Sequence, residues 1–173
     1  MELLLGCGRK REKVVTIDGE NWTQLVTLDF NPDHKPDVVH DLEVLPYPFG
    51  NDTFDEIHAP EVLEHTGTQG DFRFFFAQFS ELWRILKPNG LLAGTVPLPE
   101  SRWAWADPSH KRVIAAETFV FLSQAEYARQ VGHTAMSDFR FIYKADFEPV
   151  GFEEADGLLY FALRAVKPSR LEV

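Results

Sequence analysis

Cysteine is nearly absent from this sequence of 173 residues, since Cys7 is the only one. A single cysteine excludes an intramolecular disulfide and a cysteine-based zinc cluster. No apolar run approaches the roughly 18 residues of a membrane span. The segment ending in Gly6-Cys7 resembles a lipoprotein cleavage site, but only three leucines precede it, and a secretory signal needs an apolar core of about 7–15 residues. We therefore expect a cytoplasmic protein with no membrane partner.

Positive charge is also scarce. The 27 acidic residues outnumber the 17 lysines and arginines, and the formal net charge is -10. Binding to duplex nucleic acid needs a positive field, so this charge argues against such a partner. Hydrophobic residues make up 45% of the chain and aromatic residues 13%, which is enough for a sizeable core. The length fits one domain over residues 1–173.

Short apolar runs alternate with longer helical patterns, which predicts an α/β fold built on a sheet. The predicted strands cover residues 3–5, 24–30, 37–40, 54–59, 91–96, 139–145 and 158–166. The last two are expected to form an antiparallel pair, joined through residues 148–157, at the end of a mostly parallel sheet.

The clearest helix is predicted over residues 71–86, where apolar residues recur at steps of three and four and form one face. Gly90 is expected to end this unit in a left-handed conformation. Residues 97–108 are expected to form a loop. The pattern over residues 115–131 is interpreted as two short helices that break before Ser123, because Ser123 and Glu126 have capping-box spacing.

Three features fall where predicted strands end: the glycine turn Gly6-Cys7-Gly8, Asp29 and Asp41. In an open α/β sheet, ligands bind outside the carboxyl ends of the strands. Asp29 follows the glycines at the spacing expected of an acid that accepts hydrogen bonds from ribose hydroxyls. Asp41 is placed to reach an adenine amino group or another polar edge. The alternative is that the glycines only turn the chain and the acids only cap loops.

A dinucleotide site needs a third glycine and a helix that opens over the pyrophosphate. Position 11 is Arg11, and residues 9–23 have no helical apolar stripe. Residues 14–17 look extended and Asp18-Gly19 predicts a turn, so a loop or small hairpin is expected in place of the helix. The predicted ligand is therefore a nucleoside without a phosphate. The cations of this segment are interpreted as a solvated loop, or alternatively as contacts to a phosphate-bearing acceptor: Arg9, Lys10, Arg11 and Lys13.

The sequence contains four blocks that resemble the class I S-adenosylmethionine-dependent methyltransferases, in particular the compact type-11 domains: LLLGCG, LDFNP, PDVVHDLEVLPYPFGNDTFDEIHAPEVLEH and LWRILKPNGLLAGTVP. The resemblance implies a Rossmann-like seven-stranded sheet and S-adenosyl-L-methionine as cofactor. It implies that the glycines lie under the methionine part, that Asp29 holds the ribose, and that Asp41 and Leu42 flank the adenine. The whole implied cofactor site is Gly6, Cys7, Gly8, Asp29, Phe30, Asp41, Leu42, Ala59 and Pro60.

The chain departs from that family in two places. Family members usually carry a helix before the first strand, whereas this sequence starts at the strand, and the helix after the glycine turn is missing. The N-terminal helices are therefore expected to be reduced. Three alternatives follow for the cofactor pocket: it is open, it is incomplete, or it is closed by a second copy of the chain in a homo-oligomer.

Methyl transfer is a displacement at an already activated sulfonium, so the protein mainly positions its substrates. A base is needed only if the acceptor loses a proton. The candidates for such a base are Glu61, Glu64, His65, Asp107 and His110, and the predicted catalytic residues are Glu61, His65, Asp107 and His110. The alternatives are that Glu64 and His65 cap a helix start, and that Asp107 begins a plain turn with a surface histidine. The six histidines show no metal-ligand spacing, so no metal site is predicted.

We expect an enzyme that transfers a methyl group from S-adenosyl-L-methionine to a small-molecule or carrier-attached acceptor. The alternative is a cofactor-binding or scaffold protein that has this fold and lacks transfer activity. A nicotinamide enzyme is disfavoured by Arg11 and by the missing helix. An amino-methyltransferase of DNA is disfavoured because Ala59-Pro60-Glu61-Val62 stands where that class has Asn/Asp-Pro-Pro-aromatic.

Overall fold

The computed structural model describes residues 1–16 and 21–171. Within them the strands are β1 (Glu2–Leu5), β2 (Leu25–Asp29), β3 (Val38–Val39), β4 (Phe54–Pro60), β5 (Leu86–Pro97), β6 (Phe147–Ala155) and β7 (Leu158–Ala165). They form a seven-stranded sheet in the order β3-β2-β1-β4-β5-β7-β6. The pairs among β1 to β5 are parallel, whereas β7 is antiparallel to both β5 and β6. The predicted α/β sheet, mostly parallel with an antiparallel end, is confirmed.

Apolar side chains fill the centre of the sheet. Leu3 and Leu5 of β1, Leu28 of β2 and Ile57 of β4 are all 0% exposed. Parallel strands that are covered on both faces need such runs of buried residues. Because β1 to β5 run in the same direction, their carboxyl ends meet at one edge of the sheet. The segments that follow these strands therefore lie side by side.

Helix α1 (Phe72–Ile85) packs beside β5 and confirms the predicted long helix. Asp71 caps its start, because the carboxylate accepts a hydrogen bond from the backbone N–H of Phe74 (3.0 Å). The buried apolar residues of α1 are Phe76, Phe79, Leu82 and Ile85. At 14 residues α1 is the longest helix in the described part of the chain. No helix there combines the length and the apolar character of a membrane span.

The end of α1 differs from the prediction. β5 begins at Leu86, directly after the helix, and Asn89 adopts the left-handed conformation (φ 65°) that was predicted for Gly90. Gly90 is required for close packing instead. A Cβ atom at this position would lie 3.0 Å from the carbonyl oxygen of Asp55 in β4.

Short helical segments follow β5. Helix α2 (Trp103–Ala106) lies within residues 97–108, where the sequence predicts only a loop. Further along, a 3-10 helix (Ala116–Leu122) and helix α3 (Gln124–Gln130) are separated at Ser123. The Ser123 hydroxyl accepts a hydrogen bond from the N–H of Glu126 (3.4 Å). The predicted break and its capping residue are therefore confirmed.

The prediction of a strand over residues 139–145 is wrong, because β6 begins only at Phe147. Pro149 and Gly151, which predict a connection, lie inside β6 at the point where its register with β7 shifts. An edge strand tolerates this irregularity because one side of its backbone has no partner strand. Phe139 and Tyr143 of this segment pack against α1 instead. Tyr143 is 0% exposed, and its ring lies 5.0 Å from the ring of Phe76.

A buried ion-pair network holds the connection between β1 and β2. Lys13 is 1% exposed, and its ammonium group lies 3.1 Å from the carboxylate of Glu2 on β1 and 3.0 Å from that of Glu56 on β4. His58 lies two residues after Glu56 on the same face of β4, and its Nε2 is 2.7 Å from Glu56 Oε2. The ring of Trp22 lies 5.1 Å from the Lys13 ammonium group. The interpretation of Lys13 as part of a solvated loop is therefore wrong.

Arg11 fixes the same connection at the carboxyl edge of the sheet. Its guanidinium donates hydrogen bonds to the carbonyl oxygens of Gly8 (2.7 Å) and His34 (2.9 Å), so it joins the glycine turn to the segment after β2. No helix is present in residues 9–16 and 21–24, as the sequence predicts. Val14 and Val15 form a bend, and the predicted turn at Asp18-Gly19 lies outside the described residues.

Candidate functional site

The carboxyl edge of the sheet carries a cleft of about 510 Å³. This volume is in the range of small-molecule sites, roughly 300–1,000 Å³. The cleft is lined by the segments that follow β1 to β4 and by Pro108, Ser109 and Lys111 of the loop after β5. The predicted cofactor residues that line it are Gly6, Gly8, Asp29, Phe30, Asp41 and Leu42. Two predicted catalytic residues, Glu61 and His65, line it as well.

The glycine turn forms the floor of this cleft at the end of β1. Gly6 and Gly8 both have left-handed backbone conformations, with φ values of 57° and 52°. A Cβ atom on Gly6 would overlap the side chain of Val62, whereas a Cβ atom on Gly8 would meet nothing within 4 Å. Gly6 is therefore required for packing. Gly8 leaves its backbone open to a ligand.

Asp29, at the end of β2, is 4% exposed and binds the glycine turn. Its Oδ2 accepts a hydrogen bond from the N–H of Gly8 (2.8 Å) and lies 3.1 Å from Nδ1 of His34, and its Oδ1 accepts one from the N–H of Asn31 (2.9 Å). Burial acts to raise the pKa of Asp29, but the hydrogen bonds from Asn31, Gly8 and His34 outweigh burial and lower the pKa. The side chain is therefore a fixed carboxylate that links two strand ends.

The lining of the cleft also includes an exposed aromatic ring and a carboxylate. Phe30 is 73% exposed, which is unusual for a large apolar side chain, and it faces the cleft together with the buried Leu42. Asp41 is exposed and accepts a hydrogen bond from the N–H of Glu43 (2.9 Å). Exposed rings stack on flat heterocycles, and carboxylates accept hydrogen bonds from amino groups.

Three residues of the implied cofactor site do not line the cleft. Ala59 is 0% exposed and packs in the sheet opposite Gly94 of β5. Cys7 and Pro60 line a neighbouring cavity of about 290 Å³. Burial raises the pKa of the Cys7 thiol, so this side chain is a small buried group rather than a reactive thiolate.

Glu61, the first residue after β4, stands where three cavities meet. It lines the cleft, the cavity beside Cys7, and a third cavity of about 240 Å³ that also includes Asp107 and His110. Its φ of 47° is a left-handed conformation that is strained for a residue with a side chain. The N–H of Glu61 donates to the carbonyl oxygen of Thr95 on β5 (2.9 Å), which fixes this conformation.

Backbone hydrogen bonds join the turn after β4 to the loop after β5. The N–H groups of Lys111 (2.8 Å) and Arg112 (3.2 Å) both donate to the carbonyl oxygen of Glu64. Arg112 is 7% exposed and donates through Nε to the carbonyl oxygen of Leu63 (3.0 Å) and through Nη2 to Thr66 Oγ1 (3.0 Å). Burial lowers the pKa of Arg112 to about 10. These contacts set the position of His110, which precedes Lys111.

His65 and His110 lie against each other as a result. Their ring centroids are 4.6 Å apart, and the rings are inclined at 78°. His65 Nδ1 lies 3.1 Å from the hydroxyl and 3.3 Å from the carbonyl oxygen of Ser109. Burial, followed by the charge of His110, lowers the pKa of His65. Asp107 accepts a hydrogen bond from the Ser109 hydroxyl (2.5 Å), so it acts on His65 through Ser109.

Glu64 lies beneath these histidines and is 2% exposed. Burial raises the pKa of its carboxyl group to about 8. Residues Leu63–His65 form a single 3-10 turn in which neither Glu64 nor His65 caps a helix, and α1 begins later, after Asp71. The alternative interpretation of this pair as capping residues is therefore wrong.

Sequence reasoning missed several residues of the cleft: His34, His40, Glu43, Val62, Thr66, Pro108, Ser109 and Lys111. His34 lies five residues after Asp29, at the end of a short 3-10 turn, so a rule that considers the whole segment after each strand could have found it. Ser109 and Lys111 belong to a loop without a periodic pattern. Tertiary hydrogen bonds, among them those to the carbonyl oxygen of Glu64, bring that loop to the cleft.

No protein-family model matches this sequence, and no curated protein matches it. Solved structures do match. A SAM-dependent methyltransferase from Archaeoglobus fulgidus has a TM-score of 0.56 and 14% identity, over 94% of this chain and 85% of that chain. An S-adenosylmethionine-dependent methyltransferase from Mesorhizobium loti has the same TM-score of 0.56 and 14% identity, over 94% of this chain and 89% of that chain. The [4+2]-cyclase SpnF also has a TM-score of 0.56 and 14% identity, over 95% of this chain and 74% of that chain.

These similarities show the fold. The chain has the class I S-adenosylmethionine-dependent methyltransferase fold, as the resemblance in the sequence implies. A cyclase among the neighbours illustrates that this fold carries more than one chemistry. The function must therefore be argued from the site.

Proposed function

We propose that this chain binds S-adenosyl-L-methionine in the cleft and transfers its methyl group to a small-molecule or carrier-attached acceptor. The observation that carries this proposal is the convergence of Gly8, Asp29 and Asp41 on one cleft at the carboxyl edge of a methyltransferase sheet. Open α/β sheets bind their ligands at this edge.

The chemistry of the cleft suits a nucleoside that carries a positive sulfonium. Asp29 and Asp41 supply carboxylate oxygens for ribose hydroxyls and for the adenine amino group. Phe30 and Leu42 supply apolar surface for the purine. Glu61 supplies a carboxylate near the expected position of the sulfonium, and opposite charges attract there.

We propose the third cavity as the acceptor site, because Glu61 lines both it and the cleft. The four candidate catalytic residues lie around this boundary: Glu61, His65, Asp107 and His110. Their proposed roles differ. Glu61 and the histidines face the reacting groups, whereas Asp107 is a positioning residue that orients His65 through Ser109. Trp103, which is 58% exposed, forms part of the acceptor wall.

Calorimetry with S-adenosylmethionine and S-adenosylhomocysteine tests the cofactor site. We expect the wild-type chain to bind both, and we expect Asp29→Asn and Asp41→Ala to weaken binding by at least about tenfold, or about 1.4 kcal/mol each. Asp33→Ala is the matched control, since Asp33 is an exposed acid beside the cleft that does not line it. A thermal melt of each variant verifies folding. Absence of binding, or equal affinity in all four proteins, would refute the proposal.

The second candidate function is cofactor binding without methyl transfer. The specific observation in its favour is the neighbour named as a cyclase, which has this fold at the same TM-score as the two methyltransferases. Incubation with S-adenosylmethionine and a broad panel of acceptors separates the two functions. Formation of S-adenosylhomocysteine that depends on the acceptor supports transfer, whereas tight binding with no turnover favours this second function.

A further inference from the structure

Glu64, His65 and His110 form a cluster of metal-binding side chains at the boundary between the cleft and the third cavity. Each offers one ligand atom, and these atoms all lie within 4.8 Å of one another. Ligand atoms on a single tetrahedral Zn²⁺ lie about 3.3 Å apart, given bonds of about 2.0–2.1 Å. Small rotations of the side chains would therefore bring the three atoms onto one ion.

The cluster holds most of the unpartnered buried polar atoms in the described residues. Five buried side-chain oxygen and nitrogen atoms have no hydrogen-bond partner there, and three of them are Glu64 Oε1, Glu64 Oε2 and His110 Nδ1. Glu64 is 2% exposed, and the side chain of His110 is 10% exposed. A buried polar group without a partner costs about 1–3 kcal/mol, so three such atoms at one point call for a ligand.

The hydrogen bonds around His65 determine which ring nitrogen stays free for an ion. The Ser109 hydroxyl donates to Asp107 Oδ1 (2.5 Å), so its oxygen accepts from His65 Nδ1–H at 3.1 Å. His65 Nε2 is then the unprotonated nitrogen. A histidine ligand that donates its other N–H to a neighbouring oxygen is the usual arrangement at protein metal sites. Asp107 and Ser109 thus hold His65 as such partners hold a ligand.

We propose that Glu64, His65 and His110 bind a divalent transition-metal ion. Two imidazoles and one carboxylate are the ligand set of catalytic zinc sites and of non-haem iron sites, and both leave coordination positions open. Because the ligands come from two loops, regular sequence spacing does not reveal them. The sequence predicts no metal site, and this proposal departs from that prediction.

The position of the cluster connects the ion to the proposed function. His65 lines the cleft and His110 lines the third cavity, so the open coordination positions of an ion between them would face the proposed acceptor. An ion there would hold an oxygen of the acceptor as a Lewis acid. Only this role depends on the proposed methyl transfer. The metal site itself depends on the three side chains.

The test uses the full chain without an affinity tag, after removal of metals by a chelator. We expect calorimetry to show one Zn²⁺ bound per chain, and we expect Co²⁺ to give the visible absorption of a four- or five-coordinate site. Glu64→Gln and His110→Asn should each weaken Zn²⁺ binding at least tenfold and abolish the Co²⁺ absorption. His133→Asn is the matched control, because His133 is exposed and lies outside the cluster.

Three outcomes would overturn the metal site: no stoichiometric binding by the wild-type chain, equal weakening by His133→Asn, or unchanged binding in both cluster variants. If a cluster variant does not fold, the wild-type chain still decides, since a bound ion must raise the melting temperature and a chelator must reverse that rise. Calorimetry with S-adenosylhomocysteine runs in parallel. Metal binding without nucleoside binding would retain this inference and refute the proposed function, and the converse result would do the opposite.

Discussion

Two residues that line the cleft, at the ends of the adjacent strands β1 and β4, both have a left-handed backbone, but only one of them is a glycine. Gly6 after β1 and Glu61 after β4 both have left-handed conformations. Gly6 has no side chain, and Val62 leaves no room for one. Glu61 keeps its side chain at a cost of about 1–3 kcal/mol of strain. Since strain in a folded protein concentrates where function needs a fixed position, Glu61 is the residue of the cleft whose placement is least explained by stability alone.

Gly6→Ala is expected to reduce the free energy of unfolding more than Gly8→Ala. The two glycines have φ values of 57° and 52°, so each substitution costs about 1–2 kcal/mol through the left-handed backbone. Only the new Cβ at position 6 would overlap Val62, which adds about 1–3 kcal/mol. Urea denaturation of both variants measures the difference. Equal losses would contradict the overlap, and adding Val62→Ala to Gly6→Ala should recover part of the larger loss.

At the scale of elements, ion pairs hold the connection after β1, where the described residues contain no helix. Glu2 and Glu56 are neighbours across β1 and β4, and both face the Lys13 ammonium group. Glu2 Oε2 also accepts hydrogen bonds from the backbone N–H groups of Thr23 and Gln24 (2.9 Å each), at the start of β2. The carboxylates therefore bind both ends of the connection to the sheet. A polar face on two central strands is explained by this arrangement.

Lys13→Met is expected to destabilise the chain by about 3–5 kcal/mol. Removing one partner of a buried ion pair leaves the other charges without compensation, and Lys13 is 1% exposed between two carboxylates. Lys10→Met is the control, since Lys10 belongs to the same connection and is exposed. Chemical denaturation measures both. A loss below about 1 kcal/mol for Lys13→Met would show that the network does not hold the connection.

The sequence predicts the elements whose burial follows one regular period and fails where burial has another cause. The apolar positions of α1 recur at helical spacing because one face packs on the sheet. Residues 139–145 are also apolar, but Tyr143 and Ala145 are buried by contacts with the helical side of the core rather than by strand pairing. β6 is a strand that lacks the expected pattern, because most of its residues are exposed and buried positions do not alternate with exposed ones. A rule that tests a sequence only for helical periodicity and for strand alternation cannot separate these cases.

At the scale of the whole molecule, the candidate site has a predictable half and an unpredictable half. Asp29 and Asp41 could be selected from sequence because parallel strands bring their carboxyl ends to one edge whatever the connections are. The Glu64, His65 and His110 cluster is brought together by contacts between two segments, among them the hydrogen bonds from residues 111 and 112 to the carbonyl oxygen of Glu64. No residue pattern encodes such a loop contact, so the cluster emerges only from the three-dimensional structure.

Acid stability of the whole chain is expected to depend strongly on Glu2. Burial acts to raise the pKa of Glu2, but hydrogen bonds from Gln24, Lys13 and Thr23 outweigh it and lower the pKa from 4.5 to about 2. A lowered pKa contributes stability that is fully present above pH 4.5 and is lost as the pH falls toward 2. The contribution is about 3 kcal/mol, at about 1.4 kcal/mol per pH unit.

Glu2→Gln isolates this contribution from the general effect of acidification, which gives the chain a net positive charge below its pI of about 5.0 and so adds repulsion. The amide keeps the shape of the side chain and does not titrate. The wild type should therefore lose about 3 kcal/mol relative to Glu2→Gln between pH 5 and pH 2, as followed by urea denaturation at each pH. Parallel pH profiles of the two proteins would mean that Glu2 titrates at its ordinary pKa and that the carboxylate does not hold β1, β2 and Lys13 together.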